Sequence, residues 1–330
     1  MDANLSNKDL LLIVGASGKL GFATLTELLN RKLLPASQIA CTTSSDRGAE
    51  KLAAARQAGV ELRRASWDDS VDAWVSTLRS CTRLFLISSS RAEQDYDEAP
   101  DGKGREAEHI RVLEAAKRAG VQHVYYTSLA FANPSLSRVM KAHERTEVWL
   151  HRNATDLDFT ILREGLYSES WPLYLGYWDL KNDDADDDKR SEVLVAGDGQ
   201  ISWTSLGDLG LANAAILAAP RAHWSGRTCN LVRSTATYSL TDVARMVSKT
   251  INRAINLRIT TRASYEDFYS QERGIDRGLV TWWSPTYDAL TAGECDLRDD
   301  STLDDLLLQN FDARPKDLRT TIEEMLASSS

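Results

Sequence analysis

A chain of 330 residues with 42% hydrophobic and 26% charged residues is long enough for one large domain or two modest ones, which excludes a disordered or fibrous polypeptide. Lys and Arg total 39 against 48 Asp and Glu; the formal net charge of −9 argues against nucleic acid or an anionic membrane as partner, because affinity for phosphate comes from clustered Lys and Arg. Cys41, Cys81, Cys229 and Cys295 are scattered with no C-x-x-C pair and read as reduced thiols of a cytoplasmic protein.

Met1–Leu10 is polar, and the apolar run Leu10–Val14 is too short for a signal segment and lacks a basic flank. It reads as a buried strand. Gly21–Arg31 has helical spacing in Phe22, Leu25, Leu28 and Leu29. A strand over Ile39–Thr43 and a helix over Ala49–Ala58, closed by Gly59, follow. Val60–Ala65 is a third strand, Val71–Leu78 a short helix and Leu84–Ser88 a fourth strand. The polar stretch Ser89–Gly104 leads into a helix that carries Ile110, Leu113 and Ala116 and stops at Gly120. His123–Ser128 is a fifth strand, Val139–Leu150 a helix and Asp158–Leu162 a sixth strand. Strands alternating with helices predict an α/β fold, a doubly wound parallel sheet of Rossmann type. After Gly165 the aromatics Tyr167, Trp171, Tyr174, Tyr177 and Trp178 crowd together, and Asp183–Asp188 reads as a solvated acidic loop. Asp208–Leu217 is a helix, Cys229–Val232 a strand and Leu240–Ile251 a helix. The rest is mostly helical, with Leu303, Leu306 and Leu307 on one face and a last helix near Thr320–Leu326. No run approaches the roughly 20 apolar residues that span a bilayer.

The sharpest motif is Gly15-Ala16-Ser17-Gly18-Lys19-Leu20-Gly21. It leaves a strand and opens a helix, the setting in which such glycines bind a dinucleotide. Gly15 permits the tight turn, Gly18 lets the main chain approach a pyrophosphate, and Gly21 lets helix and strand pack closely. The helix start offers free N–H groups to the phosphates. No Gly-Lys-Ser/Thr ending supports a nucleoside triphosphatase. An NAD site expects an acid at the end of the second strand. Here Thr43, Ser44 and Arg47 stand there and suit a 2′-phosphate, with Lys51 as a second cation; Asp46 pointing into the site would admit NAD instead. Asp68 is placed either to accept the adenine amino group or to cap a helix. Ser88, ending the fourth strand, and Ser89 just beyond it complete the expected cofactor contacts. Residues 1–165 are expected to form this dinucleotide-binding domain and 166–330 a smaller substrate-binding region, with 201–235 returning to the first sheet.

The loop, together with Ala119-Gly120-Val121-Gln122-His123-Val124-Tyr125-Tyr126-Thr127-Ser128, His143-Glu144-Arg145-Thr146-Glu147, Thr160-Ile161-Leu162-Arg163-Glu164-Gly165-Leu166-Tyr167 and Gly197-Asp198-Gly199-Gln200-Ile201, resembles the NmrA-like family of atypical short-chain dehydrogenases, in its fungal form. The resemblance covers nearly the whole chain. It implies a Rossmann domain binding NADP(H) and a C-terminal region roofing a cleft. Members of that family divide between reductases of quinone, phenylpropanoid and related carbonyl or imine substrates and non-catalytic redox sensors that bind transcription regulators.

The Tyr-x-x-x-Lys pair of family dehydrogenases is absent, since Ser137 stands four residues before Lys141. Lys141 lies six residues before Glu147, where the resemblance to the phenylpropanoid-reductase branch implies a cation at the cofactor ribose and beside the reacting carbonyl. His143 is the second candidate, a proton donor at neutral pH or a structural histidine. Ser128 either bonds substrate or caps a turn. The resemblance places Tyr167 and Ser168 near nicotinamide and substrate. Phe131, Trp171 and Tyr174 are either an apolar wall for a planar substrate or inter-domain core, and Trp282 and Trp283 read as core. His109, His123, His143, His151 and His223 never pair at ligand spacing, so no metal is expected. The expected activity is NADPH-dependent reduction of an apolar or aromatic carbonyl, quinone or imine. The alternative is a non-catalytic NADP(H)-sensing regulator with a protein partner.

Overall fold

The computed structural model describes residues 9–180 and 190–328, so the acidic run Asp183–Asp188 lies outside the described residues. Burial dictates the first elements. β1 (Leu11–Val14) is buried along its whole length, and α1 (Lys19–Asn30) turns Leu20, Thr24, Leu25 and Leu28 inward. β2 (Ile39–Thr43) is again buried throughout, as expected of a strand flanked on both edges and covered on both faces. Two short helices follow, α2 (Asp46–Lys51) and α3 (Ala53–Gln57), in place of the single helix predicted over Ala49–Ala58. The break falls at Leu52 (φ −92°, ψ 7°), whose side chain is fully buried in the core.

β3 (Glu61–Arg64), α4 (Val71–Thr77), β4 (Arg83–Leu86) and α5 (Arg105–Ala119) continue the alternation. Gly120, left-handed at φ 77°, ends α5 as its position predicts. β5 (His123–Leu129), α6 (Lys141–Asn153) and β6 (Asp158–Glu164) follow, and a 3-10 turn over Arg138–Met140 delays α6 beyond its predicted start. The chain then runs through α7 (Trp171–Tyr174), β7 (Glu192–Val195), α8 (Leu206–Ala218), α9 (Arg221–Trp224), β8 (Thr228–Leu231), α10 (Leu240–Thr250) and β9 (Asn256–Ile259). α11 (Arg262–Asp267), α12 (Arg277–Trp283), α13 (Pro285–Thr291), α14 (Thr302–Phe311) and α15 (Leu318–Ala327) make the C-terminal part helical.

The seven strands of the main sheet run in the order β3-β2-β1-β4-β5-β6-β8 and every pairing is parallel. This is the doubly wound Rossmann-type sheet that the alternation predicts. Its order reverses between β1 and β4, and such a reversal opens a crevice beyond the carboxyl ends of the strands. Leu11 and Ile13 of β1 pack with α1 and α8, whereas Leu12 and Val14 pack with Trp74 of α4 and Val112 and Leu113 of α5. β8 joins the sheet beside β6 after a long excursion, and Gly210 brings α8 close enough to α1 that a Cβ there would lie 2.9 Å from Ala23.

A second core carries the aromatics. Tyr174 meets Trp203 and Trp283 edge-on, at ring-centroid distances of 5.1 and 4.8 Å. Phe131, Trp171, Tyr174, Trp282 and Trp283 are all buried in this cluster. Of the two expectations for Phe131, Trp171 and Tyr174, substrate wall or core, the structure places them in the core: with the Trp171 and Trp178 ring centroids 6.3 Å apart, they are buried in this cluster and off the cleft lining. β7 and β9 form a separate parallel pair against it, with Val193 opposite Leu257. That pair escapes sequence reading because β9 is largely exposed and its partner is remote in the chain. All four cysteines are unpaired and buried. Among the described residues no helix is long and apolar enough to cross a membrane.

Candidate functional site

The glycine loop fills the crevice between β1 and β4. Gly15 has φ +88°, a conformation that side chains resist, and its amide plane turns the chain so that Gly18 N–H donates to Gly15 O at 2.9 Å. A Cβ on Gly21 would lie 2.4 Å from Gly15 O and 2.7 Å from Ile87 Cδ1, so only glycine lets α1 start this close to β4. No side chain caps α1 and its first turn holds no acid. The first-turn amides therefore face the crevice unspent, a ready cradle for phosphate oxygens.

One cleft of about 530 Å³ runs along the carboxyl ends of β1 to β4. Gly15, Ser17, Gly18, Lys19, Leu20 and Gly21 form its floor. Thr42, Thr43 and Ser44 close one end together with Ala65, Ser66 and the indoles of Trp67 and Trp74, whose ring centroids are 6.2 Å apart. Ile87, Ser88, Ser90 and Tyr167 close the other. Tyr167 stands three residues beyond the end of β6 and forms an isolated parallel bridge with Thr204. Burial, and secondarily the nearby carboxyl groups of Glu164 and Glu169, hold its phenol in the protonated form. Among the described residues, Lys19 and Tyr167 are the only ionisable lining side chains.

At the end of β2, Ser45 Oγ accepts from Gly48 N at 3.1 Å and so caps α2, while Asp46 pairs outward with Arg64 at 2.8 Å. Arg47 is exposed and not on the lining. Lys51 reaches further in: its ammonium donates to Ser17 O at 2.9 Å and lies 4.5 Å from the centre of the Phe22 ring. Asp68 is a correction. Its carboxylate binds Arg91 at 2.7 Å outside the lining, which lowers its pKa, and Ser70 rather than Asp68 caps α4.

The other expectations are sorted by burial. Ser88 lines the cleft, whereas Ser89 is buried behind it. Lys141 is corrected: it points outward, its ammonium 3.3 Å from Glu144, along a separate surface groove with Asp101, Glu106 and Arg145. Lys141 starts a helix whose turn carries it to the outer side of the layer. His143 is corrected too. Its Nδ1 lies 3.1 Å from the Tyr126 hydroxyl in a fully enclosed position off the cleft lining, where burial and the charge of Arg105 drive its pKa well down and keep the imidazole neutral. Ser128 is buried off the cleft lining and donates to Glu147 at 2.6 Å, and Glu147 also receives Arg163 and Asn133, so this hydroxyl belongs to a strand–helix contact. Ser168 is fully buried beside Tyr167.

Sequence reasoning missed Thr42, Ala65, Ser66, Trp67, Trp74, Ile87 and Ser90. Thr42 lies near the end of β2, Ala65, Ser66 and Trp67 follow β3, and Ile87 and Ser90 follow β4, so the rule that ligands bind beyond the carboxyl ends of the strands was the available signal. Nothing local marks Trp74, which projects from α4.

Residues 15–191 match the NAD(P)H-binding family. A quinone oxidoreductase 2 of Escherichia coli (strain K12) is 30% identical over 256 residues, covering 78% of this chain and 79% of that protein. An NmrA-like family domain-containing oxidoreductase of Aspergillus flavus, flvB, is 26% identical over 329 residues, 96% of this chain and 95% of that one. The crystal structure of the Escherichia coli NADPH-dependent quinone oxidoreductase QOR2 complexed with NADPH is similar with a TM-score of 0.77 at 26% identity, covering 96% of this chain and 99% of that one.

Proposed function

The chain belongs to the NAD(P)H-binding family as an NmrA-like NAD(P)H-dependent oxidoreductase, and from that premise we propose that it uses NADPH to reduce a quinone or a similarly conjugated, planar acceptor. The observation that carries this reading is a single cleft whose floor is the glycine loop and whose far wall is Tyr167. The cradle fits the cofactor: a Cβ at Gly21 would close it, and the α1 amides stand open. Lys19 and the first-turn amides would hold the diphosphate. Thr43 and Ser44, with Lys51 and Arg47 at the rim, would hold the 2′-phosphate, and Trp67 and Trp74 would flank the adenine. Bound NADPH supplies the hydride.

The residues at the Tyr167 end then favour one class of acceptor. A ketone becomes an alkoxide on hydride addition and needs a matched acid, which the lining does not offer beyond a phenol held protonated by burial. A quinone becomes a phenolate-like anion that the Tyr167 O–H stabilises by a hydrogen bond while the final proton arrives from water. Tyr167 is thus the residue that orients the acceptor, and Ile87 supplies an apolar surface beside it. The test is anaerobic NADPH oxidation with benzo- and naphthoquinones against simple ketones. Quinone turnover with ketones at least a hundredfold slower is expected. Equal ketone turnover would sink the acceptor class; tight NADPH binding with no turnover of any acceptor would turn the reading to a sensor.

A further inference from the structure

Behind the wall formed by Ile87, Ser88 and Ser90 lies a buried polar group that the reaction above does not use. It comprises Arg105 and His109 of α5, Tyr126 of β5, and His143 and Thr146 of α6. The hydrogen bonds have assignable directions. The Ser89 amide donates to His109 Nε2 at 2.9 Å, so that nitrogen carries no proton. His109 is neutral because burial, with the charge of Arg105, pushes its pKa down to about 3. Its one proton is on Nδ1, 2.9 Å from Thr146 Oγ1, and the Thr146 hydroxyl in turn donates to the Ala142 carbonyl at 2.7 Å. Tyr126 stands 3.1 Å from His143 Nδ1.

The carbonyl of Ser89 is gripped as well. It accepts from Arg105 Nη1 at 3.0 Å, and Arg105 is itself fixed by Asp95 at 2.5 Å and by the Val139 carbonyl at 2.9 Å. The Ser88 amide donates to Thr127 Oγ1 at 3.0 Å. β4 has ended at Leu86, so the amide of Ser89 has no strand to pair with and depends on the imidazole. The residues on either side of that peptide, Ser88 and Ser90, line the cleft.

We propose that His109 is a positioning residue for cofactor binding: its Nε2, a fixed acceptor for the Ser89 amide, sets the Ser88–Ser90 wall of the cleft without touching the ligand. The proposal rests on the NADPH reading above. Its test compares His109→Gln, whose carbonyl oxygen reaches the place of Nε2, with His109→Asn, which reaches only the place of Nδ1. NADPH affinity is measured by calorimetry, and KM and kcat with a quinone acceptor. A lost hydrogen bond that leaves a buried donor unpaired predicts that His109→Asn raises Kd and KM for NADPH about three- to tenfold, with kcat within about twofold, and that His109→Gln returns both to within about twofold of wild type. An Asn variant equal to wild type, or a Gln variant as weak as Asn, overturns the proposal. Hydrogen exchange on the wild-type protein without cofactor gives a second reading that needs no variant to fold. The Ser89 amide should exchange as slowly as the amides of α5, and rapid exchange overturns the proposal. If wild type binds no pyridine nucleotide, the NADPH reading fails while the exchange result still reports on the His109 contact.

Discussion

Replacing Glu164 by Gln should make the protein markedly less sensitive to rising pH. Glu164 ends β6, paired with Leu129 of β5 and Leu231 of β8, and is fully buried. Its Oε1 accepts from Asn213 Nδ2 of α8 at 2.9 Å. Its Oε2 and the Asn213 Oδ1 both lack a hydrogen-bond partner among the described residues. Two partnerless acceptors on one side-chain pair are relieved by a single proton on the carboxyl group, and burial pushes the pKa from 4.5 up to about 8. Between those two values the folded state holds a proton that the unfolded state has released, so stability falls as pH rises, by about 1.4 kcal/mol for each pH unit. Glutamine keeps the acceptor, adds the donor that Asn213 Oδ1 lacks and does not titrate. The advantage of Glu164→Gln over wild type should therefore grow by about 3 kcal/mol from pH 5 to pH 7 and level off above pH 8. Urea unfolding of the two proteins at unit pH steps measures it, and the difference between them cancels every other titrating group. A difference that stays constant with pH, or that shrinks, would show that the folded protein holds Glu164 ionised and would refute the reasoning.

Gly21→Ala drives a Cβ to within 2.4 Å of the Gly15 carbonyl, so it should weaken NADPH at least about tenfold by calorimetry and lower the melting temperature as well. Lys51→Ala and Arg47→Ala should each weaken NADPH about tenfold while changing NADH less than about twofold, since one charged contact to a 2′-phosphate is worth roughly 1.5–3 kcal/mol; equal losses for both nucleotides would place the cations elsewhere. Tyr167→Phe should reduce kcat with a quinone about tenfold and leave the NADPH KM within about twofold, whereas Lys141→Ala on the outer groove should leave both near wild type; steady-state kinetics with a significant kcat loss for the lysine variant would return it to the site.

Much of the first half of this molecule was legible in the chain. β1 is a short continuous apolar run, and β2 and β5 carry short runs of apolar, aromatic and β-branched residues bounded by turns, the trace that a strand buried on both faces leaves. Gly15, Gly18 and Gly21 were legible because they line the cleft with bare main chain, and a Cβ at Gly21 would collide with the Gly15 carbonyl. Thr43 and Ser44 were readable for a related reason, since the end of the second strand is fixed relative to the loop.

What the chain did not disclose is where side chains point once helices and strands are packed. Lys141 and His143 are two residues apart at the start of one helix and so lie on opposite faces; the first faces solvent and the second is enclosed against Tyr126, and which face turns inward is set by packing. Trp171 and Tyr174 have the composition of a substrate wall, but α12 and α13 arrive from more than a hundred residues away to cover them. His109 shows the same thing in reverse: a histidine in a polar helical stretch carries no sign of the Ser89 amide it holds. Local pattern determines elements and main-chain sites because both depend on neighbours in sequence. The orientation and partnership of side chains depend on neighbours in space, and only the tertiary packing supplies those.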